Sequence, residues 1–153
     1  MTHVRRLGVG VWIAAVALAA SGGVARAGSA VVVDVKIIRA HNQSRDIDAR
    51  IAGLVKEFGA LKFTGYELVD QAHLTLETAN VGRMRLPSGA WLTLNPLGMT
   101  DDKLHLELEV KELKFKTTVS IAPGATLAIG GPPYDGGALI LAVTRRAETV
   151  DNR

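Results

Sequence analysis

Apolar and polar residues alternate along most of this chain, and where the alternation changes period the chain is predicted to change element. Residues 31–38, VVVDVKII, are rich in β-branched side chains and put Val31, Val33, Val35 and Ile37 on one face of a strand. The period then lengthens. In SRDIDARIAGLVKEFG, Ile47, Ile51, Leu54, Val55 and Phe58 recur at helical spacing. That stretch predicts an amphipathic helix with Ser44 as N-cap, Asp46 and Asp48 at the positive end of its dipole, and Gly59 as a left-handed stop. Its apolar stripe is expected to pack on the protein's own sheet.

After Gly59 every periodic segment reads as strand. Residues 63–68 and 73–78 are two candidates, and residues 83–86 and 90–94 flank Pro87-Ser88-Gly89. Three loop residues ending in glycine predict a type I turn with a glycine bulge. This sets Met84 beside Leu92 and Arg85 beside Trp91. In KLHLELEVKELKFKTTVSI, residues 103–121, the apolar parity flips at Lys111-Glu112. A bulge or a tight hairpin would produce the flip. The hairpin is the preferred reading, with Val110 facing Leu113, Leu108 facing Phe115, Glu109 facing Lys114 and Glu107 facing Lys116. Residues 126–129 form a further strand. The last, 138–143, is apolar on both faces and belongs inside the sheet or under the helix. The expected fold class is α+β: an N-terminal β-α unit, then an antiparallel meander of about seven strands with one helix packed on the sheet.

The first 27 residues stand outside this pattern. Arg5 and Arg6 precede fourteen residues without a charge, Leu7 to Ala20, and then Ala25-Arg26-Ala27. That order predicts a secretory signal peptide cleaved after Ala27, leaving residues 28–153 as a single β-rich domain. The apolar run falls short of the roughly 20 residues a membrane span needs, so an uncleaved anchor is the lesser reading and no stable membrane insertion is expected after cleavage. Arg5-Arg6 leaves twin-arginine export open beside the ordinary unfolded route.

Loss of this segment changes the charge. The whole chain carries 18 Lys+Arg and 15 Asp+Glu. Arg5, Arg6 and Arg26 depart with no acid, leaving 15 of each. The basic balance therefore belongs to the precursor, and no nucleic-acid partner is expected. The chain has no cysteine, so disulfides and thiolate metal sites are excluded.

Candidate chemistry is sparse. His41, His73 and His105 lack the close spacing of local metal motifs. Glu107 and Glu109 share a face with lysines, where ion pairing explains them. Ser88 lies in a hairpin turn outside any Gly-x-Ser-x-Gly motif. No phosphate loop is found, and no catalytic, metal or cofactor site is expected. Three residues remain as candidate partner contacts. Arg85 and Trp91 form either a recognition stack or a local cation–π pair. Tyr134 sits within GGPPYDGG, residues 130–137, read as a stiff loop joining two strands, with the aromatic ring either exposed at its tip or folded back on the sheet.

The combination of ARIAGLVKEFGALKFTGYELVD, MRLPSGAWLTLNP and PGATLAIGGPPYDGGALILAV resembles a family of small exported proteins from Gram-negative bacteria of the myxobacterial kind. The resemblance covers nearly all of residues 28–153. It implies export to the envelope, and supplies no activity or catalytic residue. Together these readings give an exported, periplasmic or outer-envelope domain that acts by protein–protein contact with envelope proteins rather than by catalysis. The alternative is a periplasmic domain holding a small apolar ligand between helix and sheet, in a cavity lined by Phe63, Leu68 and Phe115.

Overall fold

The computed structural model describes residues 30–59, 62–77 and 80–147. The predicted signal segment and cleavage point lie outside them. Among the described residues, eight strands form two four-stranded antiparallel sheets rather than one meander of about seven. The strands are β1 (Val31–His41), β2 (Gly65–Leu76), β3 (Gly82–Arg85), β4 (Trp91–Thr100), β5 (Lys103–Val110), β6 (Phe115–Ile121), β7 (Thr126–Tyr134) and β8 (Gly137–Arg145). The first sheet has the order β2-β1-β8-β7, and the second is the consecutive meander β3-β4-β5-β6. A single meander would leave β1 at an edge. Instead β1 pairs with both β2 and β8, so the last strand returns to the first and closes the sheet around the most apolar segments.

The alternation in each strand decides what lies between the sheets. Val31, Val33, Val35 and Ile37 of β1 meet Leu139, Leu141 and Val143 of β8, and Leu92, Leu94, Leu104, Leu106 and Leu108 of the second sheet, in one buried cluster. β8 is interior to its sheet and buries its other face too, through Ile140 and Ala142, which explains its lack of alternation.

A ten-residue 3₁₀ helix, Ala49–Phe58, covers one end of the outer face of the first sheet. Ile51 and Phe58 are buried there against Ile38, Ala40, Tyr66 and Leu68, with Leu54 partly buried beside them. Phe58 and Tyr66 bring their ring centroids to 5.0 Å. Burying two such side chains contributes about 1.5–3 kcal/mol each. The helix starts later than the sequence pattern indicates. Asp48, not Ser44, caps it, accepting a hydrogen bond from the Arg50 backbone amide at 3.0 Å. Ile47 lies outside the helix, is exposed, and bridges to Tyr66 as an isolated extended residue. Gly59 ends the helix in the right-handed rather than the left-handed region.

Three other expectations change. The two predicted strands before residue 78 are one, β2, bent where Val69 is an extra residue between the pairs Ile37–Asp70 and Ile38–Leu68. The bulge turns Tyr66 and Leu68 under the helix while Leu76, at the far end, stays in the intersheet core. Lys111-Glu112 is not a two-residue hairpin. Lys111–Leu113 makes a 3₁₀ turn and Lys114 takes φ 51°, so Val110 pairs with Phe115, Leu108 with Thr117 and Glu109 with Lys116. The longer loop spares Lys-Glu the left-handed geometry that a two-residue turn demands. Finally, most of GGPPYDGG is strand. Residues 130–134 belong to β7, bulged between Gly130 and Pro133, and only Asp135-Gly136 forms the turn, with φ 44° and 72°. β7 is an edge strand and Pro132 lies in its bulge, both of them places where a strand tolerates proline. The Pro87-Ser88-Gly89 loop matches its prediction: Met84 pairs with Leu92, Arg85 with Trp91, and Gly89 has φ 88°.

Candidate functional site

The outward face of the second sheet collects the side chains that the buried leucines leave pointing away. On β4, Leu92 and Leu94 go inward, so Trp91, Thr93 and Asn95 go outward. On β5 the same parity presents His105, Glu107 and Glu109. β3 adds Arg83 and Arg85, and β6 adds Lys116, Thr118 and Ser120. Register then sets these into rows across the strands. Arg83, Thr93, Glu109 and Lys116 are successive partners, as are Asn95, Glu107 and Thr118.

Trp91 is 46% exposed, and the Arg85 guanidinium lies 5.8 Å from its ring centroid. Beside it an open groove of about 350 Å³ runs over the sheet, bounded by Val81, Arg83 and Asn95 on one side and by Glu107, Glu109, Lys111 and Glu112 on the other. Lys116 approaches Glu107 at 3.4 Å and Glu109 at 3.9 Å. His105 and Ser120 share a 2.8 Å hydrogen bond. Among the described residues, the side chains of Arg83, Thr93 and Asn95 have no hydrogen-bond or ion-pair partner. The groove thus offers uncommitted donors and acceptors next to an exposed aromatic ring.

A second depression, where the chain enters the 3₁₀ helix, is lined by His41, Asp46, Asp48, Tyr66 and Glu67. Most of its polar groups, the Asp46 carboxyl excepted, are already engaged. Asp48 accepts from the Arg50 side chain at 2.6 Å and from the Leu68 amide at 3.3 Å. Arg50 holds the Asp48 carboxyl well below the usual carboxylate range. His41 Nδ1 accepts from the Gln43 amide at 3.3 Å, and backbone bonds join Asp46 and Asp48 to Tyr66. This depression is a structural junction.

The structure brings Arg85 and Trp91 together and sets Tyr134 apart from them. Tyr134 is not at a loop tip. It ends β7, pairs with Gly137, is half-buried, and packs against the intersheet core. Phe63 and Leu68 belong to the cluster under the helix and Phe115 to the core between the sheets, so the three do not line one cavity. The sequence pattern pointed to the Arg85–Trp91 pair and not to Arg83, Thr93 and Asn95. Their signal was the parity of Trp91 itself, which carries Thr93 and Asn95 to its face, while the hairpin register adds Arg83.

Among the described residues no cluster of three or more His, Cys, Asp or Glu is arranged to hold a metal ion, and no helix is long and apolar enough to cross a membrane. No known family model matches the chain, and neither does any curated protein or solved structure.

Proposed function

We propose that this chain is an exported, non-catalytic contact module of the cell envelope, and that it binds through the outward face of β3–β6 with Trp91 at the centre. One observation carries the reading: a half-exposed tryptophan, braced by Arg85, stands beside a groove whose Arg83, Thr93 and Asn95 have no partner within the described protein. Aromatic residues held in this way anchor contacts with little loss of side-chain entropy. The titratable groups on the face support binding over catalysis, because Glu107 and Glu109 share Lys116 and His105 is tied to Ser120. Export rests on the order of charged, apolar and small residues before Ala27.

The test is photo-cross-linking in the intact envelope, with the reactive side chain placed at Thr93 or at Thr75, an exposed residue of β2 on the other sheet. Adducts from position 93 but not from position 75 are expected. Equal labelling from both positions, or none from 93, refutes the assignment of the face.

A further inference from the structure

The composition of the groove points to the chemistry of its occupant. Its charged lining is mixed: Arg83 and Lys111 stand against Glu107, Glu109 and Glu112, with Lys116 paired to Glu107 and Glu109 and Arg85 over the Trp91 ring. A polyanion such as a nucleic acid would need an excess of bases and would meet three carboxylates, two of them already sharing Lys116, in a field close to balanced. A strongly cationic partner would meet Arg83, Arg85 and Lys111. The field therefore suits a neutral ligand.

The hydrogen-bonding groups narrow the class further. Asn95 offers both a donor and an acceptor, Thr93 a hydroxyl, Arg83 a fork of donors, and Glu107 and Glu109 acceptor oxygens. These lie in rows about 4.8 Å apart across the strands, on a floor formed by the sheet. A ligand matched to such a floor carries many hydroxyls, alternately donating and accepting, and one flat apolar face for the indole. A pyranose ring has that combination: equatorial hydroxyls around its edge and a C–H face that lies against an aromatic ring. The groove is open along its length, so a chain of sugars could pass through it, and its 350 Å³ lies near the lower bound of ligand sites, about 300 Å³.

We propose that the groove beside Trp91 binds a neutral, hydroxyl-rich saccharide chain, with the indole stacking on one ring and Asn95, Arg83, Glu107 and Glu109 bonding its hydroxyls. This rests on the outward face of the second sheet being the contact face. Arg85, whose guanidinium lies over the indole at 5.8 Å from its centroid, is a positioning residue.

Trp91 makes the test direct. The chain has two tryptophans, Trp12 and Trp91. With Trp12→Phe, Trp91 is the only tryptophan emitter, whether or not the first 27 residues are removed. Fluorescence titration with cellohexaose, chitohexaose and maltoheptaose should give a saturable spectral shift with at least one of them. Calorimetry on the same ligand should show binding weakened about tenfold or more by Trp91→Ala and by Asn95→Ala, partly restored in Trp91→Phe, and unchanged by Thr75→Ala. Circular dichroism confirms that each variant is folded, and Asn95→Ala keeps the test valid if Trp91→Ala is not. No saturable shift with any of the three sugars overturns the proposal, as does sugar binding that survives both alanine substitutions. Cross-links from position 93 to an envelope protein, without sugar binding, overturn the saccharide assignment and leave the contact face standing. Absence of both removes the contact face as well.

Discussion

Gly137 should be the least replaceable glycine in the described part of this protein, and the reason is a backbone atom rather than a dihedral angle. It opens β8 beside the Asp135-Gly136 turn. A Cβ built on it would lie 1.9 Å from the carbonyl oxygen of Ala40 and 3.0 Å from its carbonyl carbon. The shorter contact is about 1 Å inside the 3.0 Å limit that real Cβ atoms respect. Ala40 cannot retreat cheaply, because β1 is paired on both sides: Ala40 lies opposite Ala138 on β8 and Tyr66 on β2. Overpacking of this kind costs about 1–3 kcal/mol. Loosening the adjacent ladder bonds adds about 1 kcal/mol. Gly137→Ala should therefore destabilise by about 3 kcal/mol, lowering the melting temperature by about 10 °C in a domain of this size. Two other glycines supply the scale. Gly136 has φ 72°, so an alanine there meets the left-handed penalty of about 1–2 kcal/mol. Gly53, inside the helix, has nothing within 4 Å of the place a Cβ would take, so Gly53→Ala should be neutral or stabilising by up to about 1 kcal/mol. Thermal unfolding of the three variants, followed by circular dichroism, should rank them 137, 136, 53 in order of loss. A Gly137→Ala melting temperature within about 2 °C of the parent would refute the steric argument, and with it the register of β1 on β8.

Two further predictions concern charged residues. Arg145 is buried between the sheets, where its guanidinium donates to the Asp102 carbonyl at 2.6 Å and the Ile121 carbonyl at 3.4 Å, joining β8 to both ends of the β5–β6 hairpin's base. Arg145→Ala should cost about 3 kcal/mol in urea unfolding by leaving those carbonyls and a void behind, and a loss under about 1 kcal/mol would show that the clasp is dispensable. Burial pushes the Asp34 carboxyl up, but hydrogen bonds from His73 and Arg146 (Nε at 3.1 Å) and their charge outweigh it and hold the group below its ordinary value of 3.8. The stability this contributes is complete above 3.8 and is lost as the pH falls through the lower folded value. Asp34→Asn should thus be less stable than the parent at neutral pH, with the gap closing only in strong acid. A gap that stays constant down to about pH 2 would contradict this.

What the sequence determined here is local. The alternation in residues 31–38 and 103–110 identified which side chains would be buried, because in a strand successive side chains go to opposite faces whatever the strand pairs with. The Pro87-Ser88-Gly89 loop determined its own register, since a three-residue turn closed by a left-handed glycine leaves little freedom. The Arg85–Trp91 pair followed from that register and was legible in advance.

What only the tertiary structure decided is non-local. Two sheets rather than one meander follow from β8 returning to β1, a pairing between segments about a hundred residues apart that no periodicity records. The bulge at Val69, which hid β2 as two strands, is set by the need to serve the helix with Tyr66 and Leu68 while Leu76 faces the intersheet core. The parity flip at Lys111-Glu112 was visible, but a tight hairpin and a longer turn preserve the same faces, and only the pairing of Val110 with Phe115 separates them. Tyr134 looked like a loop tip because glycine and proline commonly mark turns. In an edge strand the same residues can be extended, and the pairing of Tyr134 with Gly137 draws the ring onto the core. The candidate groove has the same origin. Each residue's face was written locally, but the rows that set Arg83 beside Thr93 and Glu109, and Asn95 beside Glu107, exist only once three strands are in register.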